Sequence, residues 1–133
     1  RVLIHAGTST AVAVGSAPGL SPGENGWPVG VGGVFSLRGA PKRVLLRERA
    51  LSGSGTEVKG RHIRDPRTGR PVDQCLAAWV SHPQAAVADA LSTAFMVMNP
   101  EEVRGYCERH PETWALLALD EERSRIFNKD IFG

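Results

Sequence analysis

Short apolar runs separated by glycine, proline and small polar residues fill positions 1–80, a rhythm that predicts strands joined by turns. Val2 to His5 and Ala11 to Val14 read as two strands, with Ala6-Gly7-Thr8-Ser9-Thr10 as the tight turn between them. Residues 16–26, SAPGLSPGENG, are loop by composition. Trp27 to Phe35 alternates in part, and Gly30, Gly32 and Gly33 mark a bulge or a close backbone approach there. Arg43 to Arg49 predicts another strand, ended by Ser-Gly-Ser-Gly within Leu51 to Gly55. Glu57 to Ile63 predicts a short hairpin turning at Lys59-Gly60, and Cys75 to Val80 a buried strand.

From residue 81 the period changes to that of a helix. Ser81 and Gln84 stand at capping-box spacing with Pro83 in the first turn. Val87, Leu91, Ala94, Phe95 and Met98 then recur at intervals of three and four, which places one stripe on a core. Asn99-Pro100-Glu101-Glu102 repeats the start signal and predicts a second helix to about Arg109, with Val103, Tyr106 and Cys107 inward. His110-Pro111 ends it. Trp114 to Leu119 predicts a final buried strand, and Ser124 to Phe127 an added edge. The sum is an α+β fold, an antiparallel-rich sheet packed against a helix pair. The 133 residues predict one domain, with 120–133 as a tail.

Composition adds little to this picture. Apolar residues are 41% and charged residues 23%, values of an ordinary globular chain. Sixteen Lys and Arg against fourteen Asp and Glu leave +2, which gives no electrostatic case for nucleic acid or an anionic membrane. No apolar run approaches the ~20 residues that span a bilayer. Val2 to Ala6 is too short for the apolar region of a signal peptide. The chain starts at Arg1 rather than Met, so a processed, trimmed or partial polypeptide is expected. Cys75 and Cys107 lack metal-binding spacing and read as small buried hydrophobes.

Three groups of residues could carry chemistry. His62-Ile63-Arg64-Asp65-Pro66-Arg67-Thr68-Gly69-Arg70-Pro71 contains a turn signature. Such a turn also points several N–H groups outward, which suits an anion, but spacing alone favours a plain hairpin turn with solvated arginines. Asp89 and Thr93 are four apart and share one helix face, flanking the apolar stripe. They offer two hard oxygens for part of a Mg²⁺ or Ca²⁺ shell, or else a solvent-facing Asp beside a Thr bonded to its own backbone. Leu51 to Gly55 sets hydroxyls between glycines, which allows close approach of a phosphate or a flat ring and also describes a flexible turn. The arginines at 61, 64, 67 and 70 lack interleaved aromatics, which weakens any reading as a single-strand nucleic-acid surface.

In this order the pieces resemble the C-terminal half of the ApbE family, FAD-dependent protein flavin transferases. The resemblance rests on HIRDPRTGRP (His62 to Pro71) followed about twenty residues later by ADALSTAF (Ala88 to Phe95), with a Pro-Glu-Glu helix from Pro100. It covers roughly residues 1–119. It implies an α+β protein that uses FAD with Mg²⁺ and moves FMN onto a Thr or Ser of an acceptor protein, releasing AMP. It implies Asp89 and Thr93 as metal ligands and Asp89 and His62 as catalytic positions. His62, Asp65, Thr68, Gly69, Ser52, Gly53 and Thr93 would contact the cofactor, with Pro66 shaping the loop. Gly7-Thr8-Ser9 replaces the usual Gly-Gly-Asn or Gly-Gly-Asp, and Ser52-Gly53-Ser54-Gly55 replaces Ser-Gly-Asp-Tyr. Two other readings share the site: a flavin-binding module without catalysis, and a pyrophosphatase giving FMN and AMP. Typical members imply a periplasmic or membrane-anchored setting. A core shared with a missing half predicts a homodimer or a complementing chain.

Overall fold

The computed structural model describes residues 1–7, 9–55, 64–70 and 75–132. Six strands make one sheet in the order β1-β2-β5-β6-β7-β8, antiparallel at every junction. They are β1 (Val2–Ala6), β2 (Thr10–Val14), β5 (Arg49–Gly55), β6 (Ala77–His82), β7 (Trp114–Ala118) and β8 (Ser124–Phe127). A separate hairpin, β3 (Trp27–Gly30) with β4 (Arg43–Leu46), covers one face of the sheet. The other face carries α1 (Ala85–Val97) and α2 (Pro100–Arg109). This is the expected α+β arrangement, with the hairpin added as a third layer.

Strand alternation divides the core between the two faces. Ala78, Val80, Ala115 and Leu117 meet Phe95, Met96, Val103 and Cys107 from the helices. Ala11, Ala13, Leu51, Trp114 and Leu116 meet Val29, Val31, Val44 and Leu46 from the hairpin side. Trp114 is anchored further by the Phe132 ring, edge-on at 5.2 Å, from a short 3-10 turn (Lys129–Phe132).

Several sequence expectations are corrected. Trp27 to Phe35 is a strand only as far as Gly30, because the following glycines leave the ladder and Gly32 and Gly33 take positive φ. Arg43 to Arg49 is two strands in two sheets, since the chain turns at Arg47-Glu48 with Glu48 at φ 54°. Leu51 to Gly55 is not a turn but the body of β5, paired with β6 throughout and with β2 at Leu51 and Ser52. Ser81 belongs to β6 rather than to a capping box. Its hydroxyl donates to the Ala50 carbonyl at 2.8 Å, and α1 begins after Gln84 with no side-chain cap. The inward face of α1 is Ala88, Ser92, Phe95 and Met96, about one residue round from the expected stripe, with Leu91 and Met98 at its margin. The rotation follows from what lies beneath: β5 presents serines, and small Ala88 and Ser92 fit against them. The expected hairpin over Glu57 to Ile63 lies outside the described residues.

The Asn99 signal is realised in full. Its side chain accepts from the Glu102 N–H at 2.9 Å, and Glu102 accepts from the Asn99 N–H at 3.2 Å. Trp114 to Ala118 and Ser124 to Phe127 form the two strands predicted there.

Candidate functional site

The site forms where α1 crosses β5. Successive side chains of β5 alternate between faces, so Ser52 and Ser54 look toward α1 while Gly53 looks toward the hairpin layer. Gly53 packs closely there: a Cβ would sit 3.0 Å from Cδ1 of the Trp79 indole, which would have to shift to admit it. Its N–H donates to the Ser9 carbonyl at 2.8 Å, which ties β5 to the turn before β2.

Asp89 and Thr93 project from the exposed flank of α1, one turn apart. Each meets one serine of β5. Ser52, fully buried, donates from Oγ to Asp89 Oδ1 in a long hydrogen bond of 3.3 Å. Ser54 Oγ lies 3.2 Å from Thr93 Oγ1 and 2.8 Å from Ser92 Oγ. Ser92 in turn donates to the Asp89 carbonyl at 2.9 Å. Behind Ser52 stands Thr10, its cross-strand partner on β2, with the two hydroxyls 3.0 Å apart.

The DPRTG segment is a closed turn. Thr68 and Gly69 N–H groups donate to the Asp65 carbonyl at 3.2 and 2.7 Å, and the Arg67 N–H to Asp65 Oδ1 at 2.8 Å. Asp65 N–H reaches the Arg70 carbonyl, and Arg70 N–H reaches Thr68 Oγ1. Gly69 takes φ 71°, the left-handed conformation such a turn needs. These amides are consumed inside the turn, as the plain-turn reading of the segment has it, and are not free to face an anion. The Arg67 guanidinium clasps its own Asp65 and holds that carboxyl below the usual carboxylate range, mainly through their side-chain hydrogen bond. The same guanidinium donates to the Val97 carbonyl at the end of α1, at 3.0 Å, and lies 3.8 Å from Glu102. The turn is thereby fastened to α1.

Of the positions expected from the sequence, the structure brings Ser52, Asp89 and Thr93 together and sets Gly53 in the strand beneath them. Asp65, Thr68 and Gly69 lie in the turn tied to the far end of α1. His62 and Thr8 lie outside the described residues. Thr10, Ser54 and Ser92 were missed as members of this cluster. The signal for two of them was present, since Ser52 and Ser54 share one face of any strand and Ser92 precedes Thr93.

The donor set is wholly of hard oxygens, one carboxylate and one hydroxyl, which fits part of a Mg²⁺ shell. Among the described residues no group of three or more His, Cys, Asp or Glu is gathered for a metal, so Asp89 and Thr93 would form part of a shell and not the whole of it.

The ApbE family model matches residues 1–117. The chain belongs to the ApbE family. Among solved structures it is similar to the apo flavinyl transferase ApbE of Pseudomonas stutzeri, with TM-score 0.76 and 28% identity over 98% of this chain. It is also similar to the ApbE protein of Thermotoga maritima, with TM-score 0.67 and 26% identity over 93% of this chain. It spans 42% of the length of each of these proteins. No curated protein matches it by sequence. The two motifs of the sequence meet through α1: Arg67 fastens the DPRTG turn to the end of the helix, while Asp89 and Thr93 lie where the helix crosses β5.

Proposed function

We propose that this chain supplies the cation-binding side of an FAD:protein FMN transferase, which moves FMN from FAD to a Thr or Ser of an acceptor protein and releases AMP. The observation that carries the reading is the seating of Asp89 and Thr93 on separate serine supports, one turn apart. Family membership and likeness to a flavinyl transferase support it further.

Asp89 and Thr93 would hold Mg²⁺ against the diphosphate of FAD, where the ion supplies charge neutralisation and in-line alignment. In the transfer, the acceptor hydroxyl oxygen bonds to the phosphorus of the FMN half. The bond from that phosphorus to the oxygen bridging to AMP breaks, and the hydroxyl proton is given up. Asp89, exposed and acceptor-rich, is the carboxylate at hand for that proton. The DPRTG turn, closed on itself and anchored by Arg67, gives the flavin side a rigid wall rather than a set of free amides. The family resemblance would add the His62 imidazole as a flavin contact.

The test is to incubate the chain with FAD, Mg²⁺ and a Thr-containing acceptor peptide, reading in-gel flavin fluorescence and AMP. A fluorescent peptide with matching AMP is expected. AMP and free FMN without labelled peptide would instead make it a pyrophosphatase, and FAD quenching without AMP a binding module. If Mg²⁺ leaves FAD fluorescence unchanged in the presence of the chain, the proposal is wrong.

We also propose that a second copy or a complementing polypeptide covers β1 and β2. Val2, Ile4 and Val14 are 43, 54 and 45% exposed, and cross-strand register puts them on one face. That face continues the row of Thr10 and Ser52 beyond the reach of α1.

A further inference from the structure

The hydroxyls between β5 and α1 form two chains, and the end of each chain fixes the direction of every proton in it. A carboxylate or carbonyl oxygen only accepts, and a serine or threonine hydroxyl has one hydrogen to give. In the first chain Ser52 spends its hydrogen on Asp89 Oδ1, so Thr10 must donate at the 3.0 Å contact with Ser52. In the second, Ser92 spends its hydrogen on the Asp89 carbonyl. Ser54 must then donate to Ser92 at 2.8 Å, which leaves Ser54 only as an acceptor toward Thr93 at 3.2 Å. The Thr93 hydrogen therefore points at Ser54. Its remaining lone pairs are left free to accept, one helical turn from Asp89 on the same exposed flank of α1.

From this we infer that Ser54 is a positioning residue: working with Ser92, it turns the Thr93 hydroxyl so that oxygen lone pairs, and not the hydrogen, meet a divalent cation. The inference rests on the reading of Asp89 and Thr93 as cation ligands. It assigns to the second serine of the Ser-Gly-Ser-Gly strand a task that its sequence setting conceals. A hydroxyl free to rotate would present its hydrogen to the cation part of the time and would lose binding accordingly. Groups that orient a metal ligand characteristically contribute ~10-fold or more in affinity.

The experiment uses the ¹⁵N-labelled chain titrated with Mn²⁺, with paramagnetic broadening of the Asp89 and Thr93 amide signals as the readout. Ser54→Ala is expected to weaken Mn²⁺ binding ~10-fold while the remaining amide signals keep their positions. Ser54→Thr keeps the hydroxyl and is expected to stay within about twofold of the parent chain. The decisive comparison is the double variant. Because Ser54 acts through Thr93, Ser54→Ala added to Thr93→Val is expected to cost nothing beyond Thr93→Val alone. Parent-like binding by Ser54→Ala, or additive losses in the double variant, would overturn the inference and leave the cation reading in place. Absence of local broadening at residues 89 and 93 in the parent chain would remove the cation reading itself, and the inference with it.

Discussion

Burial pushes the Cys75 thiol up to about 11 and the Cys107 thiol up to about 12. Both are neutral at physiological pH and shielded, so neither serves as a nucleophile. Ellman's reagent at pH 8 is expected to label neither in the folded chain and both in guanidinium chloride. The sign of the pH effect follows. An unfolded thiol ionises near pH 8.5. Stability from burying these groups is therefore intact below that value and declines as pH rises toward the folded values. A urea midpoint that falls progressively above about pH 9 would show it. Asp65 has the opposite sign. Its folded carboxyl titrates below the unfolded one, so its contribution is present above about pH 4 and lost as acid protonates it. At this scale Asp89 and Thr93 were legible, because four-residue spacing specifies a shared helix face. Ser54 was not: between two glycines a serine reads as a turn, and only pairing with Ala78 on β6 makes it part of a strand. Arg67 was equally hidden, since its partner Val97 lies thirty residues away.

Among the elements, those with local signals came through and those decided by tertiary pairing did not. Asn99 and Glu102 satisfy each other within one turn of α2, so their spacing alone suffices. Asn99→Ala is expected to destabilise the chain by about 1 kcal/mol in a urea melt. Ser81 offered the same spacing but has stronger non-local partners. It donates to the Ala50 carbonyl and accepts from Arg49 Nε at 2.7 Å, and these bonds hold it in the sheet. The turn between α2 and β7 holds Thr113, fully buried, whose hydroxyl finds no partner among the described residues. Replacing it with an apolar group of the same shape removes a desolvation cost. Thr113→Val is expected to raise stability by about 1 kcal/mol, read as a higher melting temperature.

For the molecule as a whole, the uncovered stretch of β1 and β2 is the feature with most consequence. Three large apolar side chains in one solvent-facing row are costly in water, and they begin where the row of site hydroxyls ends. Size-exclusion chromatography is expected to show self-association, reversed by Ile4→Lys with Val14→Lys. A clean monomer from the parent chain would count against the covering proposed above. The α+β class and the order of its pieces were readable from the chain, but the third layer was not. Glycines in the segment after Trp27 blurred its alternation, and nothing local announces that β3 and β4 form a sheet of their own.

The arginine clasp at Val97 and the carboxylate of Asp89 stand on the same helix, eight residues apart. At 1.5 Å per residue that is roughly 12 Å, fixed by backbone geometry and indifferent to the number of residues between the strand and the bend. The protein thus carries its own ruler. Insertions or deletions in the connecting chain would leave the graduation unchanged, whereas a kink put into the middle of the rod would alter the size of molecule that can touch both marks at once.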